Sequence, residues 1–435
     1  MHTSLWSDSA GLPEFPKLEG DLKTDVLVIG GGICGLLCAY YLKQSGVDCA
    51  LVEAERIAAG VTSGTTAKIT ALHGNIYSDL VTKYGLEAAE KYYYVNQNAI
   101  ADFAKLAKGA DCNFEQQTAY TYSLQNREKI EREFSVLQRL GAKTEIKYKS
   151  PLPIPFAAAV GLKEQAQFHP LKFLKHICKD LQIYEHTRVT EFTPKYTLCG
   201  TSKIFAKKII VATHFPMLNK HGIYFLKLYQ HRSYVMAIDG ATCPEGMYVD
   251  ERDKGLSFRS HNGLLLLGGG GGRTGKVCGG WGELDRFRKK FYPESQVKYQ
   301  WATQDCISLD GIPLIGRYCP NTPNLYVATG FNKWGMTSSM AAAKILTDMI
   351  CGKHNDCADI FAPDRSIWKP QLWVNCFETL TNFLYPTVRR CPHLGCALKW
   401  NKQEHSWDCS CHGSRFDAEG KLLNNPANKD KNNAV

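Results

Sequence analysis

The passage that decides the fold runs over residues 24–55: "TDVLVIGGGICGLLCAYYLKQSGVDCALVEAE". Val26 to Ile29 is a short apolar run between a charge and glycines, the pattern of a buried strand. Gly30-x-Gly32-x-x-Gly35 follows at once, and Leu36, Leu37, Tyr40 and Tyr41 then recur at helical spacing. Gly46 ends that helix as a left-handed cap would. "CALVE" is the next strand, with Glu53 at its end. Each part has a physical task. Gly30 permits the tight turn, Gly32 lets the backbone approach a pyrophosphate, and Gly35 lets helix and strand pack closely. The helix N-terminus offers unpaired N–H groups and the positive end of its dipole to phosphates. Glu53 is placed to accept hydrogen bonds from ribose hydroxyls. A bare glycine triplet is weak evidence, but strand, glycines, helix, strand and acid in this order predict dinucleotide binding.

The same passage contains seventeen residues without a charge, 26–42. That is near the lower limit for a membrane span. Three consecutive glycines cut it after four residues, and the two pieces differ in period, so strand–turn–helix is the reading. The start of the chain is polar and broken by Pro and Gly, with no apolar signal region. At 435 residues the chain is long enough for two or three domains. Its net charge of +10 is mild for that length, and no block of five Lys or Arg occurs. Nucleic acid is therefore not an expected partner. The seventeen cysteines are mostly scattered, which suits free thiols in a reducing compartment. A cytoplasmic protein that does not span a membrane is expected.

Farther on, "ERIAAGVTSGTTAKITALHG" is rich in small and hydroxyl residues and suits the wrapping of a tightly held cofactor. "IFAKKIIVATHFP" is another apolar strand, and "NLYVATGFNKWGMTSSMAAAKILTDMI" is strand, glycine-bounded loop and helix. Thr337 or Ser338 is the expected cap of that helix, whose N-terminus could stabilise negative charge on a reduced flavin. Residues 92, 95, 99, 103 and 106 are apolar at three- and four-residue steps, a long amphipathic helix. "KLYQHRSYVMAID" and "GLLLLGGGGG" read as strands. No Ser-His-Asp or paired-carboxylate pattern stands out. Arg259 could anchor a substrate carboxylate, and His73, His169 and His231 read as structural.

These motifs, with "FHPLKFLKHI" and "DGIPLIG", resemble the D-amino-acid-oxidase-like family of FAD-dependent oxidoreductases, which includes flavoenzymes acting on glycine, sarcosine and glycerol phosphate. The resemblance covers roughly residues 20–352. It implies an α/β fold: a Rossmann-like FAD-binding domain in pieces (about 20–75, 150–220 and 300–352) with an inserted α+β substrate domain (about 76–149 and 221–299). It implies FAD contacts at Gly30, Gly32, Gly35, Glu53, Thr62, Ser63, Thr66, Lys68, Gly330, Gly335, Met336 and Thr337, and places Val189 near the adenine. One departure is His214 in "ATH", where relatives often carry Gly.

The tail holds "CPHLGCALKWNKQEHSWDCSCHGSRF", residues 391–416, with four cysteines and three histidines. Zinc, a disulfide-knit tail and a mixed Cys/His iron–sulfur centre all compete. Zinc pairs usually space as Cys-x-x-Cys, whereas both pairs here are mixed. Two Cys on one iron and two His on the other is the alternative that uses both loops equally. "CPHLGC" and "CSCHGSRF" closely resemble the Rieske [2Fe-2S] boxes of the cytochrome bc type. The resemblance implies Cys391, His393, Cys409 and His412 as ligands and a Cys396–Cys411 disulfide. It also puts Ser414 and Phe416 where they tune and cover the cluster. The lead-in before Cys391 is short, so a shortened all-β Rieske module (386–430) is expected to lean on the flavin domain, with 353–385 as linker and docking segment.

The expected activity is FAD-dependent oxidation of a small substrate (an amine, amino acid or hydroxy acid), with electrons leaving through the cluster to an external protein or quinone. The alternative is a non-catalytic flavin-binding redox sensor or scaffold with a zinc-binding tail.

Overall fold

The computed structural model describes residues 3–218 and 221–431. Leu22–Ile29 forms the central strand of the first sheet, because Val26, Leu27 and Val28 are apolar on both faces and fully buried. It pairs in parallel with Ser202–Val211 on one side and Cys49–Val52 on the other. Gln182–Tyr184 and Leu325–Thr329 extend the parallel run, and Leu314–Arg317 closes one edge antiparallel. The charge-free stretch divides between Leu22–Ile29 and the helix Ile33–Gln44. Gly46, at φ +75°, ends the helix by donating to the Lys43 carbonyl at 2.9 Å. No helix among the described residues is long and apolar enough to cross a membrane.

The second sheet has nine strands. Gln296–Ser308, Leu228–Asp239 and Leu264–Arg273 form its long antiparallel end; Glu115–Ser123 and Ala158–Gln167 pair at the other. Lys68–Ile69 joins it as a short edge. Three strands placed by sequence in the FAD-binding pieces (68–69, 158–167 and most of 296–308) thus belong to the second sheet. Sequence order puts them beside FAD-binding segments, but ladder pairing carries them across. The helix Leu86–Ala107 buries Tyr92, Ala99 and Phe103 in the core shared by both sheets.

The tail forms a third sheet of four short strands, Leu398–Asn401, Ser406–Cys409, Arg415–Phe416 and Leu422–Asn424. The segment before it is a helix, Pro370–Leu384, with Pro at its first turn.

Candidate active site and cluster-binding loops

A cavity of about 740 Å³ lies between the first two sheets. Gly30, Gly32, Glu53, Thr62, Thr66, Lys68, Val189, Gly335 and Met336 line it. Gly30 takes φ +108°, and a Cβ there would sit 2.6 Å from the Ala212 carbonyl oxygen. A Cβ on Gly35 would fall 1.9 Å from the Gly30 carbonyl oxygen. Only glycines permit this approach of helix to strand. The cap residue of the helix that follows, Gly32, has no side chain to offer, and the first helical N–H, that of Ile33, donates to the Thr62 hydroxyl at 3.1 Å. Glu53 accepts from the Gly31 N–H at 2.7 Å and the Glu55 N–H at 2.9 Å. Burial pushes its carboxyl up, against those hydrogen bonds. Burial, with Arg259 nearby, brings Lys68 down to about 7.

Four residues carried over as FAD contacts stand outside the cavity wall. Gly35 packs behind the first turn. Ser63 spends its hydroxyl on the Ala59 and Gly60 carbonyls of its own turn, at 3.1 and 2.9 Å. Gly330 is wedged near Leu228 and Ser308. Thr337 does not cap its helix, and neither does Ser338. Trp334 holds the cap position before the helix Gly335–Ile350, and the Thr337 hydroxyl turns inward to the Thr70 carbonyl at 3.2 Å. Arg259 does not face substrate either. It is fully buried and donates to the backbone carbonyls of Thr66, Ala67 (2.8 Å) and Phe168 (3.3 Å). His169 caps the helix Pro170–Ile177. His73 lines the cavity, stacks on Trp334 at 4.8 Å, and is pushed down to about 3 by burial, so it is neutral.

Several cavity residues were not foreseen. Asp305 lines the cavity with its carboxyl raised by burial, and Lys333 lies nearby in a left-handed conformation. Residues 421–425, 427 and 428 of the tail close part of the wall. Nothing in their sequence signals this, because the contact exists only after the tail folds back.

The two cluster loops repeat one geometry. The Gly395 N–H donates to the Cys391 carbonyl and the Gly413 N–H to the Cys409 carbonyl, each at 2.9 Å, with both glycines at positive φ. Cys391 and Cys409 are buried, and the His393 and His412 rings lie 5.0 Å apart between centroids. The four thiols hydrogen-bond one another, which holds Cys409 well below its usual range and pushes Cys391, Cys396 and Cys411 up. Burial pushes both imidazoles down, His393 to about 4, so both are neutral, as metal ligands must be. Neither ring nitrogen of His412 makes a well-formed hydrogen bond. A buried polar atom left so is costly, and a metal bond removes that cost for one nitrogen. The donor set fits a cluster held by two thiolates and two imidazoles.

The expected Cys396–Cys411 disulfide is absent. Both are buried free thiols, and their sulfurs lie with that of Cys409 inside a 4.8 Å group. The sulfurs gather by packing of the two loops, which brings them near without forming the bond of about 2 Å that a disulfide requires.

The tail docks onto the second sheet through side chains of the flavin fold. Gln230 Nε2 donates to the carbonyls of His412 (2.8 Å) and Asn425 (2.9 Å), and Gln304 Nε2 to that of Gly413 (2.8 Å). Arg273 reaches the Ser410 and Cys411 carbonyls at 2.9 and 3.0 Å. Glu404 bonds Arg232 and accepts from Tyr234 Oη at 3.1 Å and Arg415 Nη2 at 2.9 Å. One stretch of chain touches both the cavity and the cluster loops. Thr213, His214 and Met217 face the cavity, while the Phe215 ring sits 6.2 Å from both His393 and His412.

Residues 25–349 match the family of FAD-dependent oxidoreductases, and residues 369–433 match the Rieske [2Fe-2S] domain. The Rieske match excludes the zinc-tail reading. YhfW of Bacillus subtilis, a Rieske 2Fe-2S iron-sulfur protein, is 34% identical over 98% of this chain and 96% of its own length. An iron-sulfur subunit of the cytochrome b6-f complex from Nostoc sp. is 51% identical over 52 residues, 12% of this chain and 28% of that subunit. Glycine oxidase from Geobacillus kaustophilus has a similar fold, with TM-score 0.66 and 16% identity over 79% of this chain and 99% of its own. So does L-proline dehydrogenase from P. horikoshii, with TM-score 0.67 and 16% identity over 79% and 98%. With the cavity suited to FAD and four Cys and His ligands set behind its wall, the chain belongs to the FAD-dependent oxidoreductases that carry a C-terminal Rieske [2Fe-2S] domain.

Proposed function

We propose that this enzyme oxidises a small amine, amino acid or hydroxy acid in the cavity and passes the electrons through the tail to an external acceptor, a protein or a quinone. The observation that carries this reading is the wall of residues 213–217, with His214 on the cavity side and Phe215 against both cluster histidines. FAD supplies the two-electron chemistry and the cluster accepts electrons singly. The chain's own residues do the positioning. Gly30, Gly32 and the first turn after them cradle the pyrophosphate, and Glu53 takes the ribose. Asn332 fixes the loop beside the cavity by accepting from the Ser308 N–H at 2.9 Å. Asp305 and Lys333 line the cavity together, and such a pair offers a partner to an amine and to a carboxylate alike. Cys391, His393, Cys409 and His412 hold the cluster, and Gln230, Gln304 and Arg273 keep its loops against the wall.

The test is anaerobic mixing of the holoenzyme with panels of amines, amino acids and 2-hydroxy acids. A substrate should bleach the flavin, and the reduced-cluster signal in electron paramagnetic resonance should follow. Phe215→Leu should slow the second event and leave the first unchanged. Flavin bleaching with no cluster reduction in the wild type defeats the proposed route. No bleaching with any compound defeats the substrate class.

A further inference from the structure

The helix Pro370–Leu384 is amphipathic in the inverted sense. Its polar side chains face the protein. Asn375 accepts from Arg273 at 2.9 Å, Asn382 accepts from the Ser410 hydroxyl at 3.0 Å, and Glu378 pairs with Lys276 at 2.7 Å. Apart from Leu372, which is buried, its large apolar side chains face outward. Trp373, Phe377, Leu380 and Leu384 follow one another at steps of four, three and four residues, which sets them in one stripe. Their exposures are 63%, 66%, 57% and 69%. Trp368, Tyr385 and Val388 continue the stripe at its ends, and exposed Leu394 lies on the first cluster loop. A helix of a soluble fold turns such a face to the core, and contiguous exposed apolar surface of this kind marks a binding site.

We propose that this face docks onto a lipid bilayer surface bearing anionic headgroups. Three features select that occupant. Residues 365–402 carry six Lys or Arg against one acid; Glu378 is already paired with Lys276 and Arg365 with Asp310, which leaves five basic residues along this face. Arg389 and Lys402 are exposed at the rim, where each basic residue adds attraction to anionic lipid. Trp368, Trp373 and Tyr385 supply the amphipathic rings that settle at headgroup level. A second copy on the same face would bring the two basic rims together, which opposes self-association. The helix lies on the surface and does not cross it: fifteen residues span only about 22 Å.

The docked face is rigidly joined to the cluster loops. The Ala397 N–H donates to the Asn382 carbonyl at 3.0 Å, and a Cβ on Gly395 would touch the Phe383 ring at 3.6 Å. Docking therefore sets the first cluster loop, which carries exposed Leu394, beside the bilayer. The electron exit that this suggests rests on the function proposed above; the docking itself does not.

The experiment is co-sedimentation of the full-length holoprotein with vesicles of phosphatidylcholine alone or mixed with phosphatidylglycerol. The wild type should pellet with the mixed vesicles, and at least about tenfold less with phosphatidylcholine alone or in high salt. Phe377→Glu/Leu380→Glu should weaken binding by more than about tenfold with flavin and cluster absorbance unchanged. If that variant loses its cofactors, Trp373→Ser serves in its place and should weaken binding severalfold. Failure of the wild type to pellet with any vesicles overturns the proposal, as does undiminished binding by a folded variant. A wild-type dimer that Leu380→Glu disperses assigns the face to a second copy and also overturns it. None of these readouts requires turnover.

Discussion

The flavin fold and the tail module both house a redox group, but at opposite ends of the size scale. The flavin fold packs two large sheets and their helices around a continuous core that runs from Trp6 to Phe361. The tail has four short strands, and its core is little more than its four cysteines with Leu398, Phe416 and Ala427. A unit that small buries too little apolar surface to stand alone. It takes support from its neighbour instead. Gln230, Gln304 and Arg273 satisfy the backbone carbonyls of its cluster loop, and Arg232 helps neutralise Glu404. The lesson is that the tail's stability resides in its interface, whereas the flavin fold's resides in its own core.

The largest expected effect separates the two cofactor sites. Cys409→Ser should abolish bound iron and acid-labile sulfide, with flavin content retained, as measured by metal and flavin analysis. Loss of flavin as well would break the comparison and make the two regions one folding unit.

Glu404 comes next. Burial pushes its carboxyl up, but the hydrogen bond from Arg232 and the charges of Arg232 and Arg415 outweigh this and bring it down to about 2. A depressed carboxyl contributes stability above its unfolded value and loses it as pH falls. The shift from 4.5 corresponds to about 3 kcal/mol. Glu404→Gln should therefore lower the denaturation free energy of the tail by about 3 kcal/mol at pH 6. The wild type's advantage should fade as pH drops from 4.5 toward 2. A difference that does not change with pH would mean that Glu404 acts by packing alone.

Gln230→Ala should cost about 2 kcal/mol, since it leaves two tail carbonyls without donors. The loss should appear as faster proteolysis of the tail, with the flavin fold unaffected. The smallest effect belongs to the flavin fold's surface. Lys143 and Glu164 pair at 2.6 Å but are 67% and 51% exposed, so Lys143→Met should change thermal stability by less than about 0.5 kcal/mol. A larger value would show that exposed pairs matter more to the large domain than its core-based stability allows.

How much of the site could be read beforehand depended on how local each signal was. The glycine turn and Glu53 act through neighbours in sequence, so their order and spacing pointed to them, whereas the Cys/His boxes were assigned as ligands through their resemblance to Rieske boxes. Arg259 was misread because a lone arginine carries no sign of its partners; burial turned it to four backbone carbonyls, those of Thr66, Ala67, Phe168 and Ser260. The Ser63 hydroxyl bonds carbonyls of its own turn, as hydroxyls near a cofactor segment can, and that of Thr337 bonds the distant Thr70 carbonyl, a contact no local signal announces. The Cys396–Cys411 bond was carried over from resemblance, and proximity of sulfurs did not make it.

By itself the sequence determined the two chemistries of this protein, because phosphate binding and cluster ligation each need particular residue types at short fixed spacings. Only the tertiary structure decided how they meet. It folded the tail back so that residues 421–428 border the flavin cavity, set Phe215 against both histidines and turned an apolar helix face outward. Those relations join residues far apart along the chain, and no local periodicity or spacing encodes a contact that exists only once both partners have folded.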